Sequence, residues 1–168
     1  SAAGLETRTW NTSATWADVD NDGDLDLFVA GYCHAPWGSR LAACREGEQG
    51  SSCRPSMYPA EPDLLYENLG DGRFAERSRT AGIDQPDGYG LGIIAEDFDG
   101  DGRIDLFVGN DTTPNYLFQN RGGNWTGSPA LFEETGLASG LAVDGQGQAE
   151  ACMGISAADV DRNGWPDL

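Results

Sequence analysis

The stretch DVDNDGDLDL at residues 18–27 recurs as DFDGDGRIDL at 97–106 and as DVDRNGWPDL at 159–168. The three copies match position by position, and alternating apolar residues precede each of them. Strand-like runs, LDLFVAG and IDLFVGN, follow the first two copies. Such runs on both sides of an acidic, glycine-containing turn predict that each copy joins two β-strands. The chain is therefore organised around a repeated unit of strand, loop and strand.

A second repeated segment follows each of the first two loops. LLYENLGDGRF, and later YLFQNRGG with ALFEETGL, each have the pattern of two strands joined by a glycine turn. Together the segments predict an all-β fold of four-stranded antiparallel units, as in the blades of a β-propeller. We expect residues 1–168 to be part of one propeller, with a blade at about 12–79 that carries a cysteine-rich insertion at 32–63, a blade at about 90–135 and the start of a further blade at 153–168.

Two complete units cannot close a propeller ring, which ordinarily has four to eight blades. The chain is therefore expected to be a fragment of a longer protein, or to complete its sheets with another copy through an open strand edge. A plain β-sandwich is less favoured, because it gives no reason for loop chemistry to repeat.

The repeated loops, here called loop 1 (18–26), loop 2 (97–105) and loop 3 (159–167), carry oxygen donors at fixed spacing. Side chains at positions 1, 3, 5 and 9 and the backbone carbonyl at position 7 suit Ca²⁺, which takes six to eight oxygens, better than Mg²⁺. Up to three calcium ions are predicted. The expected ligands are Asp18, Asp20, Asp22, Asp26 and the carbonyl of Asp24 in loop 1; Asp97, Asp99, Asp101, Asp105 and the carbonyl of Arg103 in loop 2; and Asp159, Asp161, Asn163, Asp167 and the carbonyl of Trp165 in loop 3.

Two alternatives to this metal hypothesis can be weighed from the sequence. A helical EF-hand requires a bidentate Glu at position 12, where this chain has Val29 or Val108 within strand-like runs. Aspartate and glycine also favour turns without any metal, although three loops of identical spacing make that reading less favoured. Loop 3 has one carboxylate fewer and is expected to bind calcium more weakly.

The charge balance limits the classes of partner. The chain has 28 acidic and 10 basic residues, which give a formal net charge of -18. This charge opposes binding to nucleic acid and to anionic membrane surfaces and favours cations. No apolar run reaches the length of a membrane-spanning helix, so membrane insertion is not expected.

The cysteines indicate an oxidising compartment. Cys33, Cys44, Cys53 and Cys152 form no CxxC pair, and with the single His34 they do not make a zinc site. Disulfides in a secreted or extracellular protein are the preferred reading, with a periplasmic or cell-surface location also compatible, and unpaired thiols in a cytosolic protein are the alternative. Sequons begin at Asn11, Asn110 and Asn124, which are therefore candidate glycosylation sites.

The loops and their surroundings resemble the FG-GAP or VCBS repeats of β-propellers, including integrin α-subunit heads, in which such loops bind calcium. The stretch GYGLGIIAEDFDGDGRIDLFVGNDTTPNYLFQNRGG, with PDLLYENLGDGRF upstream, resembles more particularly the cartilage acidic protein (ASPIC/UnbV) group. The resemblance implies that the loop residues named above are the calcium ligands. Because CREGEQGSSC is similar to a cysteine-bounded loop of that group, it also implies a Cys44–Cys53 disulfide, with Cys33–Cys152 as the remaining pair.

A calcium-binding module for adhesion or ligand binding is the preferred function, with a protein or glycan as the unknown partner. The insertion, with Trp37, Met57 and Tyr58, is a candidate contact surface, although these side chains can equally pack the insertion onto its blade. The alternative is a structural subunit of an extracellular oligomer or filament. Catalysis is not expected, since there is one histidine and the regularly spaced carboxylates are assigned to metal; a polysaccharide-active enzyme is the least favoured hypothesis.

Overall fold

A computed structural model of the chain describes residues 2–6, 10–34 and 55–168. Within these ranges the chain forms two four-stranded β-sheets. The strands are β1 (Trp10–Ala17), β2 (Asp26–Cys33), β3 (Leu64–Asn68), β4 (Phe74–Glu76), β5 (Gly90–Glu96), β6 (Asp105–Asn110), β7 (Tyr116–Asn120) and β8 (Phe132–Glu134). The structure also has a 3-10 helix at Pro55–Met57 and two short helices, α1 (Ser78–Ala81) and α2 (Gly136–Ser139).

Each sheet is a simple antiparallel meander. The spatial orders are β1-β2-β3-β4 and β5-β6-β7-β8, so that sequential strands are neighbours. Ala17 pairs with Asp26 at the end of loop 1, and Glu96 pairs with Asp105 at the end of loop 2. The predicted all-β fold class is confirmed, because the two sheets have the strand number and order of propeller blades.

Burial along the strands follows from their places in the sheets. In β1 exposed and half-buried residues alternate, as expected for a strand with one covered face. The second strands differ, because β6 is buried at every position and β2 at most of them. These two strands have neighbours on both sides and are covered on both faces, which explains their nearly continuous apolar sequence.

The hydrophobic core lies between the two sheets. Phe28 of the first sheet and Phe118 of the second place their ring centroids 6.3 Å apart, and both side chains are fully buried. The first strands of the two sheets, β1 and β5, also meet directly, since the Thr12 hydroxyl donates to the backbone oxygen of Gly90 at 2.6 Å. A Cβ at Gly90 would lie 3.0 Å from both the Ala30 Cβ and the Gly31 oxygen, so this close approach favours glycine.

The third unit is less extensive in the described residues. Ala158 and Asp167 form an isolated antiparallel bridge across loop 3. The helices α1 and α2 follow the fourth strand of their respective sheets and were not anticipated from the sequence. Each ends at a glycine with a left-handed backbone, Gly82 at φ 89° and Gly140 at φ 80°. None of the helices found in the described ranges has the length and apolar character needed to cross a membrane.

Candidate metal centre

Three groups of carboxylates come together in the described part of the chain, one group in each repeated loop. Each member contributes an oxygen that lies within 4.8 Å of the corresponding oxygens of its group. The groups are Asp18, Asp20 and Asp22 in loop 1; Asp97, Asp99 and Asp101 in loop 2; and Asp159, Asp161 and Asp167 in loop 3. The structure thus brings together positions 1, 3 and 5 of the first two loops, and positions 1, 3 and 9 of the third.

The first aspartate of each loop fixes the shape of the turn. In loop 1, Asp18 accepts the backbone N–H groups of Asp22 at 3.1 Å and Gly23 at 3.0 Å. Asp97 receives the same two bonds in loop 2 at 3.1 and 2.9 Å, and Asp159 receives them in loop 3 at 3.0 and 3.0 Å. The three loops therefore share one conformation, which is what their common spacing predicts.

Position 4 of each loop has a structural requirement that the aspartate spacing does not reveal. Asn21, Gly100 and Arg162 hold this position, with φ of 62°, 72° and 63° respectively. Asparagine and glycine are the residues that most readily adopt a left-handed backbone, so their presence in two of the three loops was an available signal. The left-handed residue at position 4 and the glycine at position 6 bend the backbone around the carboxylates.

The backbone N–H at position 7 closes each turn. Asp24 donates its N–H to Asp22 Oδ1 at 2.8 Å, Arg103 donates to Asp101 Oδ1 at 2.9 Å, and Trp165 donates to Asn163 Oδ1 at 2.8 Å. Asn163 thereby repeats the turn-closing role of Asp22 and Asp101. The predicted contribution of the carbonyl at position 7 to a metal ion stays a prediction.

The last aspartates of loops 1 and 2 have a second role that the sequence did not reveal. Asp26 accepts the N–H of Val19 at 3.2 Å and of Asn68 at 2.8 Å, so it ties loop 1 to β3. Asp105 ties loop 2 to β7 in the same way, through the N–H groups of Phe98 at 3.1 Å and Asn120 at 2.7 Å. Burial raises the pKa of both carboxyls to about 6, against the effect of these hydrogen bonds.

A basic side chain lies within loop 2 itself. The Arg103 guanidinium forms an ion pair with the Asp101 carboxylate and donates from Nε to the Asn120 oxygen at 3.0 Å. Asp101 is one of the predicted metal ligands. Because of this ion pair, its carboxylate already has a positively charged partner. Loops 1 and 3 differ, because within the described ranges their grouped carboxylates form no ion pair with a basic side chain.

Donors from outside the loops hold the aspartates at position 3. Gln119 of β7 donates from Nε2 to Asp99 at 2.9 Å, within the same sheet. Trp125, which follows β7, donates from its indole Nε1 to Asp20 at 2.7 Å, across the two sheets. The spacing of the aspartates does not reveal these residues, because neither lies in an aspartate-rich loop.

The donor set fits calcium. All the grouped atoms are hard carboxylate oxygens, which calcium prefers. Two unit negative charges 4.8 Å apart repel by about 1 kcal/mol in water-like surroundings and by about 3–4 kcal/mol at an effective dielectric of 20. A divalent cation would offset this repulsion in each loop, and the backbone hydrogen bonds hold the carboxylates in place for it.

The predicted Cys33–Cys152 disulfide is not formed in the structure, where both residues are free thiols. Cys33 pairs with Trp10 in the first sheet, whereas Cys152 donates its backbone N–H to the oxygen of Asn110 at the end of β6 in the second. The two cysteines are therefore fixed by the hydrogen bonds of different sheets. Burial raises the pKa of the Cys33 thiol, and the charge of Glu61 adds to the effect. The predicted Cys44–Cys53 pair lies outside the described residues, as does Trp37.

The three sequons differ in accessibility. Asn110 is fully buried, and its Nδ2 donates to Pro114 O at 2.6 Å, so the folded chain has no room for a glycan there. Asn11 is half-buried in β1, with its Nδ2 directed to Ala30 O at 3.4 Å. Asn124 is exposed, and its Oδ1 accepts the Thr126 N–H at 2.9 Å. A sequon does not report burial, so glycosylation stays a prediction that the burial of Asn110 disfavours and that the accessibility of Asn124 allows.

Comparison with known proteins shows that this chain contains a known sequence repeat. Residues 57–108 and 97–168 match the family model of the FG-GAP-like repeat. The two ranges together cover more than half of the chain and contain loops 2 and 3 in full. Loop 1 lies before the matched ranges but has the same internal hydrogen bonds.

Three curated relatives share part of the sequence. Over 57 residues the chain is 39% identical to Cartilage acidic protein 1 of Homo sapiens, 37% identical to that of Mus musculus and 37% identical to that of Xenopus tropicalis. The aligned segment is 34% of this chain and 9% of each relative. The match therefore spans only a small part of those proteins.

Proposed function

Because the chain belongs to the family of FG-GAP-like repeats, we propose that it is a calcium-binding β-propeller module of an extracellular protein, with a role in adhesion or ligand binding. The observation that carries the calcium part is the grouping of three carboxylates in each of three loops of one conformation. Such a group binds a divalent cation with little rearrangement, since backbone hydrogen bonds already orient its members.

Calcium would act on the fold rather than on a reaction. Loop 1 joins β1 to β2, and loop 2 joins β5 to β6, so each ion would fix the connection between two adjacent strands. An ion that binds the folded chain at a hundred times its dissociation constant stabilises that chain by about 2.7 kcal/mol per site. We therefore expect calcium to contribute much of the stability of a protein with this excess of negative charge.

The extracellular location is supported by composition and by the relatives. The relatives are named as an acidic protein of cartilage, and this chain has a formal net charge of -18. Calcium is abundant outside cells, where loops of modest affinity would still be filled. A secreted protein, whether free or at a cell surface, is the setting in which this donor set is useful.

The ligand-binding part of the proposal concerns the end of the sheets opposite the metal loops. There Trp10, Tyr32 and Tyr89 form a continuous aromatic group, with ring centroids 5.7 Å and 6.0 Å apart. Trp10 is 56% exposed, and the Tyr32 hydroxyl donates to Asp111 at 2.9 Å. The exposed Trp10 ring, supported by the half-buried Tyr32 and the buried Tyr89, suits contacts with a protein or a glycan.

A calcium titration tests the metal function. We expect calorimetry on chelator-treated protein to show three bound ions, and thermal melts to show a calcium-dependent rise in melting temperature. Substitution of Asp18, Asp97 and Asp159 by Asn should abolish both effects. The matched control replaces three acidic residues outside the loops, Asp71→Asn, Asp84→Asn and Glu133→Gln, and should leave them intact. Loops that remain vacant at millimolar calcium would refute the proposal.

A binding screen tests the adhesion function separately. Calcium-loaded protein applied to glycan and matrix-protein arrays should bind to a defined class of spots. Trp10→Ala should abolish that binding. The control is Trp16→Ala, which removes another half-exposed tryptophan from the loop end of the same strand. Equal binding by both variants would exclude the aromatic group as the contact surface.

A further inference from the structure

Loop 1 receives a hydrogen bond from the neighbouring sheet. The indole Nε1 of Trp125 donates to Asp20 Oδ2 at 2.7 Å, although the two residues are 105 positions apart. Trp125 lies in the connection between β7 and β8, and its side chain packs against the core. The carboxylate of Asp20, which lies in a loop of the first sheet, is thus oriented by a residue from the second sheet's β7–β8 connection.

Two more bonds join the same parts of the molecule. Asn120 of β7, which is fully buried, donates from Nδ2 to the Val19 oxygen at 2.6 Å. Asn21 of loop 1 donates from Nδ2 to the Gly102 oxygen of loop 2 at 3.4 Å. Positions 2, 3 and 4 of loop 1 therefore all contact the second sheet or its loop.

The connection that carries Trp125 is longer than its counterpart and internally ordered. In the first sheet, β3 and β4 are joined by a tight turn closed by Leu69 N–H to Arg73 O at 2.9 Å. In the second, Arg121 N–H bonds to Leu131 O at 2.8 Å, and the residues between them form an extension. A Cβ at Gly123 would lie 1.9 Å from Ala130 O, so the extension is folded back closely on itself. The fold of this connection thus places Trp125 beside loop 1.

At the place where the second sheet has Gln119, the first sheet has no side-chain donor for Asp20. In loop 2, Gln119 donates to Asp99 from the residue before Asn120. The corresponding residue before Asn68 is Glu67, whose side chain accepts from Arg77 Nε at 2.8 Å in an ion pair and has no amide donor like that of Gln119. Asp20 thus obtains from the second sheet the bond that Asp99 obtains from its own.

We propose that loop 1 is a two-sheet calcium site, in which Trp125 positions Asp20 so that calcium binding and the packing of the second sheet on the first strengthen each other. The inference rests on the proposed calcium function. Residues that orient metal ligands typically change metal affinity ten- to a hundredfold when they are lost. The coupling free energy is the same in both directions. If packing of the two sheets raises calcium affinity, calcium binding must stabilise that packing by the same amount.

The unmodified protein gives the first test. Nitrogen-15 NMR of the indole groups should show the Trp125 Nε1–H shift during a calcium titration, with the same midpoint as the backbone amides of loop 1. The indole of Trp10, which lies at the opposite end of β1, should not follow that midpoint. Loop 1 amides that respond to calcium while the Trp125 indole does not would overturn the inference.

The second test compares two matched variants by hydrogen exchange. We expect Trp125→Phe to raise about tenfold the calcium concentration at which residues 18–26 are half protected from exchange. The corresponding midpoint for residues 97–105 should not change. Trp10→Phe should alter neither midpoint. Calcium should also protect residues 121–131 in the unsubstituted chain. Unchanged loop 1 protection in Trp125→Phe would contradict the inference. Absence of protection in every loop of the unsubstituted chain would instead refute the calcium function itself.

Discussion

Asp63 in the first sheet and Asn115 in the second occupy equivalent places, but only Asn115 has partners for both of its side-chain polar atoms. Each residue lies just before the third strand and accepts a backbone N–H of the second strand, from Gly31 to Asp63 at 2.9 Å and from Asn110 to Asn115 at 2.9 Å. Asn115 also donates to Leu141 O at 3.2 Å. Asp63 Oδ2 is buried and has no hydrogen-bond partner in the described residues.

This difference predicts a pH-dependent effect of Asp63→Asn. Burial raises the pKa of Asp63 from 3.8 to about 7, so the folded chain binds this proton more tightly than the unfolded chain. The stability that the bound proton provides is full below about pH 4 and is lost as the pH rises to 7. The substitution should therefore stabilise the protein at pH 8, by at most about 4 kcal/mol, and the gain should shrink steadily toward pH 5. Thermal melts of both proteins at several pH values measure this gain.

The reciprocal substitution is the matched control. Asn115→Asp keeps the acceptor for the Asn110 N–H but replaces the donor to Leu141 O by an oxygen. It should destabilise the protein more at pH 8 than at pH 5, because a protonated carboxyl can still donate. A pH-independent difference in either variant would show that these carboxyls do not carry the effect.

Local spacing was sufficient to predict the loops and the sheets. Asp18, Asp20 and Asp22 lie together because alternate residues of a sharply turned backbone project to one side, and this depends on neighbours in sequence. The same holds for the strand pairs with short connections, whereas β2 and β3 pair although the cysteine-rich insertion separates them in sequence. The four-residue helices were missed, since a single helical turn has too few positions to show a period.

Contacts between distant residues could not be predicted in this way. The bond from Trp125 to Asp20 depends on how two sheets pack, and no motif in either segment specifies it. The burial of Asn110 depends on the same packing. Sequence patterns thus identified which residues could bind a metal, whereas the orientation of those residues required the structure.

The third loop offers a gain-of-function test. Asn163 holds the position of Asp22 and Asp101, and its side chain accepts the same backbone N–H. Asn163→Asp should keep the turn and add a carboxylate beside Asp159 and Asp161, which raises the calcium affinity of this site several-fold. Calorimetry should show the weakest of the three binding steps become tighter. Asn163→Ala, which removes the oxygen, should weaken the same step, and identical titrations for the two variants would argue against loop 3 as a site.

Loop 2 should bind calcium more tightly without its internal cation. Arg103→Gln removes the guanidinium that pairs with Asp101 and would otherwise repel an incoming ion. We expect a several-fold gain in calcium affinity at this loop and a lower melting temperature in chelator, since the bond from Arg103 to Asn120 O is also lost. As a control, Arg121→Gln removes a similar ion pair with Glu133 outside the loops and should leave calcium affinity unchanged. A weaker calcium site in Arg103→Gln would show that the arginine supports the metal-binding conformation.

The packing of the two sheets gives a prediction that does not depend on calcium. Phe28 and Phe118 meet across the interface with their ring planes at 53°, and neither side chain reaches solvent. Phe28→Ala would leave a cavity between the sheets and should destabilise the protein by about 3–5 kcal/mol, measured by denaturant unfolding in calcium and in chelator. Trp16→Ala is the control, because its 52% exposed ring contacts only the half-buried Phe74 among the described aromatic pairs, and it should cost much less. If the two substitutions had equal effects, the sheets would not share the core that their contacts indicate, and the link between loop 1 and the second sheet would lose its structural basis.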